Sequence, residues 1–260
     1  MEPTAIKENL ESNKIEIKNI FKSFGEKKVL NDINLSVKKN ESLVIIGGSG
    51  TGKSVLIKLI MGLINPDQGE ILIDGEDLCK AKDINMMRRK MGMLFQGGAL
   101  FDSMTILENV AFGLRQGQNK SKKEAHEIAY EKLNAVELDE RVSHLYPSEL
   151  SGGMQKRAAL ARAIATNPEI IFFDEPTTGL DPILSGTINN LMKKCVRELG
   201  ATTITITHDM KSLRNIADTV ALIHQGQILW TGSIHEMDNS SNEALKQFIS
   251  GSPNGPLTQN

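Results

Sequence analysis

Residues 42–61 read SLVIIGGSGTGKSVLIKLIM: an apolar, β-branched run, a glycine-rich turn, and a stretch with apolar residues at helical spacing. Few arrangements are open to such a segment. Gly47, Gly52, Lys53 and Ser54 keep the spacing G-x4-G-K-S/T between a strand and a helix, which sets a row of backbone N–H groups at a helix start. An anion with several oxygens fits there. The N–H groups of Gly48, Ser49, Gly50, Thr51, Gly52 and Lys53 are expected to cradle phosphates, with Lys53 neutralising the β and γ oxygens of a nucleotide. The Ser54 hydroxyl is expected to coordinate Mg²⁺.

The remaining chain supplies the sheet and helices that such a unit requires. IEIKNI (15–20) alternates apolar and polar residues as a half-buried strand does, and GEILIDG (69–75) is bounded by glycines. MGMLFQ (91–96) is a short apolar run ending at a polar glutamine. EIIFFDE (169–175) and ATTITIT (201–207) flank the helical stretch PILSGTINNLMKKCVREL (182–199), a strand–helix–strand signature of a parallel sheet. Between about 105 and 166, ILENVAFGLR, KEAHEIAYEKLNAVEL and MQKRAALARAIA repeat apolar residues at helical intervals, which predicts an inserted helical lobe. VALIH and QILWTG, separated by Gln225 and Gly226, predict a hairpin. The tail DNSSNEALKQFISGSPNGPLTQN (238–260) is expected to begin as a helix and ends in Gly, Pro and Asn, so its last residues are expected to be mobile unless a partner holds them.

Composition limits the partners. Thirty Lys and Arg against thirty-two Asp and Glu leave a net charge of -2, so no broad basic field for nucleic acid is expected. Cys79 and Cys195 stand far apart without CxxC spacing, which points to two reduced thiols. No apolar run approaches the roughly 20 residues of a membrane-spanning helix, and MEPTAIKENLESNK at the N-terminus has no apolar signal region. The expectation is a cytosolic chain whose membrane role, if it has one, comes through a partner.

Four further positions carry candidate chemistry. Asp174 and Glu175 close the strand EIIFFDE on the edge where the phosphate loop also opens. Asp174 suits Mg²⁺ through water, and Glu175 suits a base that holds an attacking water in line with the γ-phosphate. His208, after ATTITIT, is expected to reach the γ-phosphate from the side opposite Glu175. Gln96 is expected to touch metal or water as the helical lobe rotates. A second serine-and-glycine turn, Ser151, Gly152 and Gly153 in LSGGM (150–154), opens another helix that has no ligand of its own.

In this order, the phosphate loop, Gln96, LSGGM, IIFFDE, the GLDP turn (179–182) and His208 resemble the ATP-binding subunits of ABC transporters over nearly the whole chain. The resemblance implies a P-loop core with a mostly parallel sheet, an N-terminal antiparallel β subdomain and an inserted helical lobe, spanning 14–247 ahead of a tail at 248–260. It implies ATP and Mg²⁺ as ligands and Phe24 stacked on adenine. It further implies a homodimer that sandwiches two nucleotides head to tail, with Ser151, Gly152 and Gly153 closing on the partner's γ-phosphate. Met154 stands where the commonest signature has glutamine, and its thioether donates no hydrogen bond.

FQGGALFDSMTILENVAF (95–112) with LSGGM, and the terminal FISGSPNGP (248–256), are similar to the ATPases of MCE-protein lipid transporters, the Mla and Mkl type. That similarity implies a motor bound through an integral permease to the cytoplasmic face of the bacterial inner membrane, with an MCE-type substrate-binding protein as a further partner. Ala99 to Met104 are the expected permease contacts. The alternatives are an importer of another small solute and a soluble ABC ATPase such as an iron–sulfur assembly component. A scaffold that does not hydrolyse ATP is disfavoured by the presence of both Glu175 and His208.

Overall fold

The computed structural model describes residues 12–258; the polar N-terminal segment up to residue 11 and residues 259–260 lie outside the description. Strands β1 (Asn13–Phe24) and β2 (Lys27–Lys38) form a long antiparallel pair, followed by β3 (Ser42–Ile46) and helix α1 (Lys53–Ile60). Next come β4 (Gln68–Ile73), the short β5 (Glu76–Asp77), α2 (Ile84–Arg89) and β6 (Met91–Leu94). The first sheet has the order β2-β1-β4-β5 and is antiparallel throughout. Alternation alone puts Ile15 and Ile17 on one face and Ile20 on the other, yet all three are buried. A register shift between Ile17 and Ile20 resolves this, with Asn19 at φ 50° returning Ile20 to the inner face.

The helical lobe comprises α3 (Ile106–Gln116), α4 (Lys122–Ala135), two 3-10 turns at Glu140–His144 and Pro147–Glu149, and α5 (Gly152–Ile164). Each α-helix starts at a side-chain cap: Thr105 with Glu108 in a reciprocal box, then Ser121, then Ser151. Asn109 of α3 is fully buried and holds the preceding loop. Its Oδ1 accepts from Phe101 N at 2.7 Å, and its Nδ2 reaches the carbonyls of Phe101, Met104 and Thr105 at 3.0, 3.1 and 3.0 Å.

Then follow β7 (Ile170–Asp174), α6 (Pro182–Leu199), β8 (Thr202–Ile206), α7 (Met210–Ile216), β9 (Thr219–His224), β10 (Gln227–Ser233), α8 (Ile234–Met237) and α9 (Glu243–Ser250). The second sheet has the order β10-β9-β3-β8-β7-β6, with every neighbouring pair parallel except β9 and β10. Its strands are buried on both faces. Val44, Ile46 and Phe173 pack with the helical lobe and α6, whereas Leu43, Ile45 and Phe172 pack with α1 and the first sheet. Residues 251–258 fold back on α9. Gln247 Nε2 donates to Ser252 O at 3.1 Å and its Oε1 accepts from Leu257 N at 2.7 Å. The expected division at 247/248 falls inside α9, and Gln247 ties Ser252, Leu257 and Thr258 to that helix.

Candidate nucleotide site

Parallel pairing brings the expected site residues to one edge. Ile206 of β8 is in register with Ile45 of β3 and with Asp174 of β7, and Phe173 is in register with Leu94 of β6. Whatever follows these four strands therefore meets at their carboxyl ends. Gly47 follows β3, Glu175 follows β7, Thr207 and His208 follow β8, and Phe95 and Gln96 follow β6. Gln96 lies two residues past the strand that it was expected to close.

The phosphate loop requires glycine for two physical reasons. At Gly47 (φ 153°) an added Cβ would fall 2.2 Å from the Ile223 carbonyl oxygen, and at Gly52 (φ 105°) it would fall 2.6 Å from Leu30 Cδ2. The loop is thus pressed against the sheet edge, while Gly48, Ser49 and Gly50 are exposed. Lys53 Nζ donates to the carbonyls of Gly47 (2.8 Å) and Gly48 (2.7 Å). Burial pushes the Lys53 pKa down, opposed by Glu175 and Asp174. A half-buried ammonium held only by neutral carbonyls suits an incoming phosphate.

Asp174 has the opposite problem. Burial, then the neighbouring Glu175 charge, raises its pKa above the ordinary carboxylate value, with Lys53 acting the other way. A divalent cation would relieve that crowding of negative charge, so the Asp174 carboxylate suits Mg²⁺. Glu175 sits at φ 48°, where its N–H donates to Ile206 O at 2.9 Å. Its Oε2 accepts from Thr178 Oγ1 at 2.9 Å, and its Oε1 lies 2.9 Å from His208 Nδ1. His208 is therefore in direct contact with Glu175. The turn at Glu175 and the strand end at Thr207 run side by side, which brings the imidazole onto the carboxylate.

Two cations escaped the sequence reading. Lys156 of α5 is 7% exposed and its Nζ donates to the Gln96 carbonyl. Burial pushes its pKa down, opposed by Asp174 and Glu175. Six residues further on, Arg162 donates to Ala99 O and Gly98 O, both at 2.7 Å, and its guanidinium lies 5.9 Å from the Phe101 ring centroid. The one signal available was three long cations, Lys156, Arg157 and Arg162, within KRAALARAI, whose other residues are buried alanine, leucine and isoleucine.

Ser151 caps α5 by accepting from Met154 N at 3.4 Å. Ser151 and Gly152 are exposed, and with Gly153 they line a cleft shared with Gly179, Leu180 and Asp181 rather than with the phosphate loop. Met154 packs against the core of the helical lobe, which gives its thioether an apolar role. Phe24 is 51% exposed, with Lys22 Nζ 5.5 Å from its ring centroid.

Comparison with known proteins agrees with this geometry. Residues 30–178 match the family model described as ABC transporter. The chain is 41% identical, over 95% of its length and 94% of the relative's, to the intermembrane phospholipid transport system ATP-binding protein MlaF of Haemophilus influenzae. It is 39% identical to the "Probable ribonucleotide transport ATP-binding protein mkl" of Mycobacterium leprae, over 94% of this chain and 70% of that one. The dimeric post-hydrolysis state of the ATP-binding cassette MJ0796, bound to ADP and Pi, superposes with a TM-score of 0.77 at 35% identity, covering 85% of this chain and 98% of that chain. With its phosphate loop, paired carboxylates and inserted helical lobe all in place, the chain belongs to the ABC transporter family as an ATP-hydrolysing, ATP-binding subunit.

Proposed function

We propose that this ATPase drives phospholipid movement between membranes, as a homodimer docked on an integral permease. The observation that carries the hydrolytic part is the Glu175 carboxylate, fixed by Thr178 and His208 on the edge where the phosphate loop opens. In this reading Gly47 to Lys53 bind the phosphates, Ser54 and Asp174 hold Mg²⁺, and Phe24 forms a platform for adenine. Mg²⁺, when bound, neutralises charge on the phosphate oxygens. Glu175 orients the attacking water and accepts its proton, Gln96 orients water or metal, and His208 holds Glu175 and senses the γ-phosphate.

Ser151, Gly152 and Gly153 act on the partner's nucleotide. The separation of their cleft from the phosphate loop supports this, and so does the dimeric form of the MJ0796 cassette. Residues Ala99 to Met104 receive the permease, and an MCE-type protein supplies the lipid. Among the described residues no helix is long and apolar enough to cross a membrane, so the permease is the attachment to the cytoplasmic face of the inner membrane.

The phospholipid assignment rests on the MlaF relative, matched across 94% of its length; the mkl relative is named for ribonucleotide transport. Purification of the subunit with its membrane partners, followed by mass spectrometry, separates the two. Phospholipid bound to the complex and stimulating its ATPase is the expected result, and stimulation by ribonucleotide alone would overturn it. Glu175→Gln should retain MgATP, hydrolyse it at least ~100-fold more slowly, and accumulate the ATP-bound dimer. Near-normal turnover in that variant would remove Glu175 from its role.

A further inference from the structure

Beneath the contact between Glu175 and His208 lies a second polar cluster, built from three segments that are distant in sequence. Thr177 belongs to the turn after β7, Asn189 to α6, and Ser212 to α7, and all three are buried at 6%, 3% and 1% exposure. Ser212 Oγ lies 2.6 Å from Asp209 Oδ2, 2.7 Å from Asn189 Nδ2 and 3.3 Å from Thr177 Oγ1.

The direction of each bond follows from counting hydrogens. Burial works against the Asp209 charge, yet hydrogen bonds from the Ser212 hydroxyl and from the N–H groups of Lys211 and Ser212 hold its pKa below the ordinary value. An ionised carboxylate only accepts, so the single Ser212 hydrogen goes to Asp209. Ser212 Oγ then accepts from Asn189 and from Thr177, which must be the donor in its pair. The hydroxyl gives one bond and takes two, and its capacity is full. Asn189 Oδ1, turned away by this arrangement, is buried without a partner among the described residues. The asparagine thus makes one buried hydrogen bond, to Ser212, at the cost of one unmet acceptor.

Asp209 adjoins His208, and Thr177 lies two residues from Glu175. Between the same two segments opens a cleft of about 690 Å³, whose lining includes Thr178, Leu180, His208 and Lys211. Strand pairing sets the bases of the two segments side by side, and beyond the strand ends the buried hydroxyl cluster ties them together beside this cleft. We propose that Ser212 is a positioning residue for hydrolysis: through Asp209 and Thr177 it fixes the segment that carries His208 to the turn that carries Glu175. The proposal rests on the roles assigned above to Glu175 and His208.

The test is a double-mutant cycle on ATP hydrolysis by the full-length protein, with Thr177→Val, Thr177→Ser and Ser212→Ala. Valine has the shape of threonine without its hydrogen bond, so it tests the bond rather than the packing. Thr177→Val and Ser212→Ala should each lower kcat roughly 5- to 20-fold while KM for MgATP stays within about twofold, because the phosphate cradle is untouched. Together they should cost about as much as Ser212→Ala alone, since Thr177 has then already lost its acceptor. Thr177→Ser, which keeps the donor, should turn over like the parent.

Equal rates for Thr177→Val and Thr177→Ser would overturn the proposal, and so would additive losses or KM rising in step with falling kcat. Glu175→Gln, run alongside, separates this failure from that of the underlying assignment. If Glu175→Gln is inactive while Thr177→Val and Ser212→Ala are normal, only the positioning role falls; if Glu175→Gln is itself active, the assignment beneath it falls as well.

Discussion

Replacing Asn109 by leucine measures what holds the loop ahead of α3. Leucine has nearly the shape of asparagine, so the fully buried site stays filled and the change removes only polar contacts. The amide carries two hydrogens, which the three carbonyls of Phe101, Met104 and Thr105 share, and its oxygen takes the Phe101 N–H. At most three full hydrogen bonds are lost. At about 1 kcal/mol net for each, the variant should be less stable by about 3 kcal/mol, a large share of the roughly 5–15 kcal/mol of a typical domain. Urea unfolding of the nucleotide-free protein should show a lower midpoint with an unchanged slope. Amide exchange at Phe101 should quicken with it, whereas that of β8 follows only global opening. Asn109→Asp, which keeps the acceptor for Phe101 N–H and loses both donors, should also be destabilised. A loss below about 0.5 kcal/mol, with Phe101 exchange unchanged, would refute the account.

Asp174→Asn should raise the melting temperature of the nucleotide-free protein near neutral pH while abolishing Mg²⁺-dependent hydrolysis. Because the folded pKa of Asp174 is raised, the folded chain binds that proton more tightly than the unfolded one, and stability falls as pH climbs between the two values. Thermal melts of the variant should lack that part of the decline. Lys156→Met should lower kcat several-fold, roughly 3- to 10-fold, with little change in ATP affinity, because it frees the Gln96 carbonyl without touching the phosphate loop; steady-state kinetics beside direct binding would show this, and a matching loss of affinity would contradict it. Lys53→Ala and Ser151→Arg, each nearly inactive alone, should regain ATPase activity when mixed under subunit exchange, since one complete site then forms per heterodimer. Turnover at the parent rate by the Ser151→Arg homodimer would remove the LSGGM turn from the site.

Elements defined by local signals could be read from the chain. Asp181 and Pro182 open α6 and Gly200, in the left-handed region, closes it, so its bounds of 182–199 follow from residues at its own ends. The phosphate loop and β7 were equally plain, since both consist of a short contiguous pattern. Contacts that depend on how distant segments meet were not. The imidazole of His208 lies against Glu175, thirty-three positions away, through the pairing of β7 with β8. Lys156 reaches Gln96 across sixty positions, and nothing in either neighbourhood encodes the other. The last residues offered no periodic face, being rich in Gly, Pro and Asn, yet one buried glutamine, Gln247, hydrogen-bonds Ser252, Leu257 and Thr258.

Helix α5 has the dimensions of a lever. Ser151 stands at one end, Lys156 grips the Gln96 carbonyl near the middle, and Arg162 grips the carbonyls of Gly98 and Ala99 toward the other end. At 1.5 Å per residue the arms on either side of Lys156 are about 7.5 and 9 Å. They are nearly equal, so a tilt about that point gains little displacement and loses little force. A tilt of about 10° would carry each end roughly 1.5 Å in opposite directions, a shift as large as those that repack helices at subunit interfaces. A pull on Ser151 one way would then push the loop at Gly98 and Ala99 the other way, with the pivot pressing on the Gln96 carbonyl.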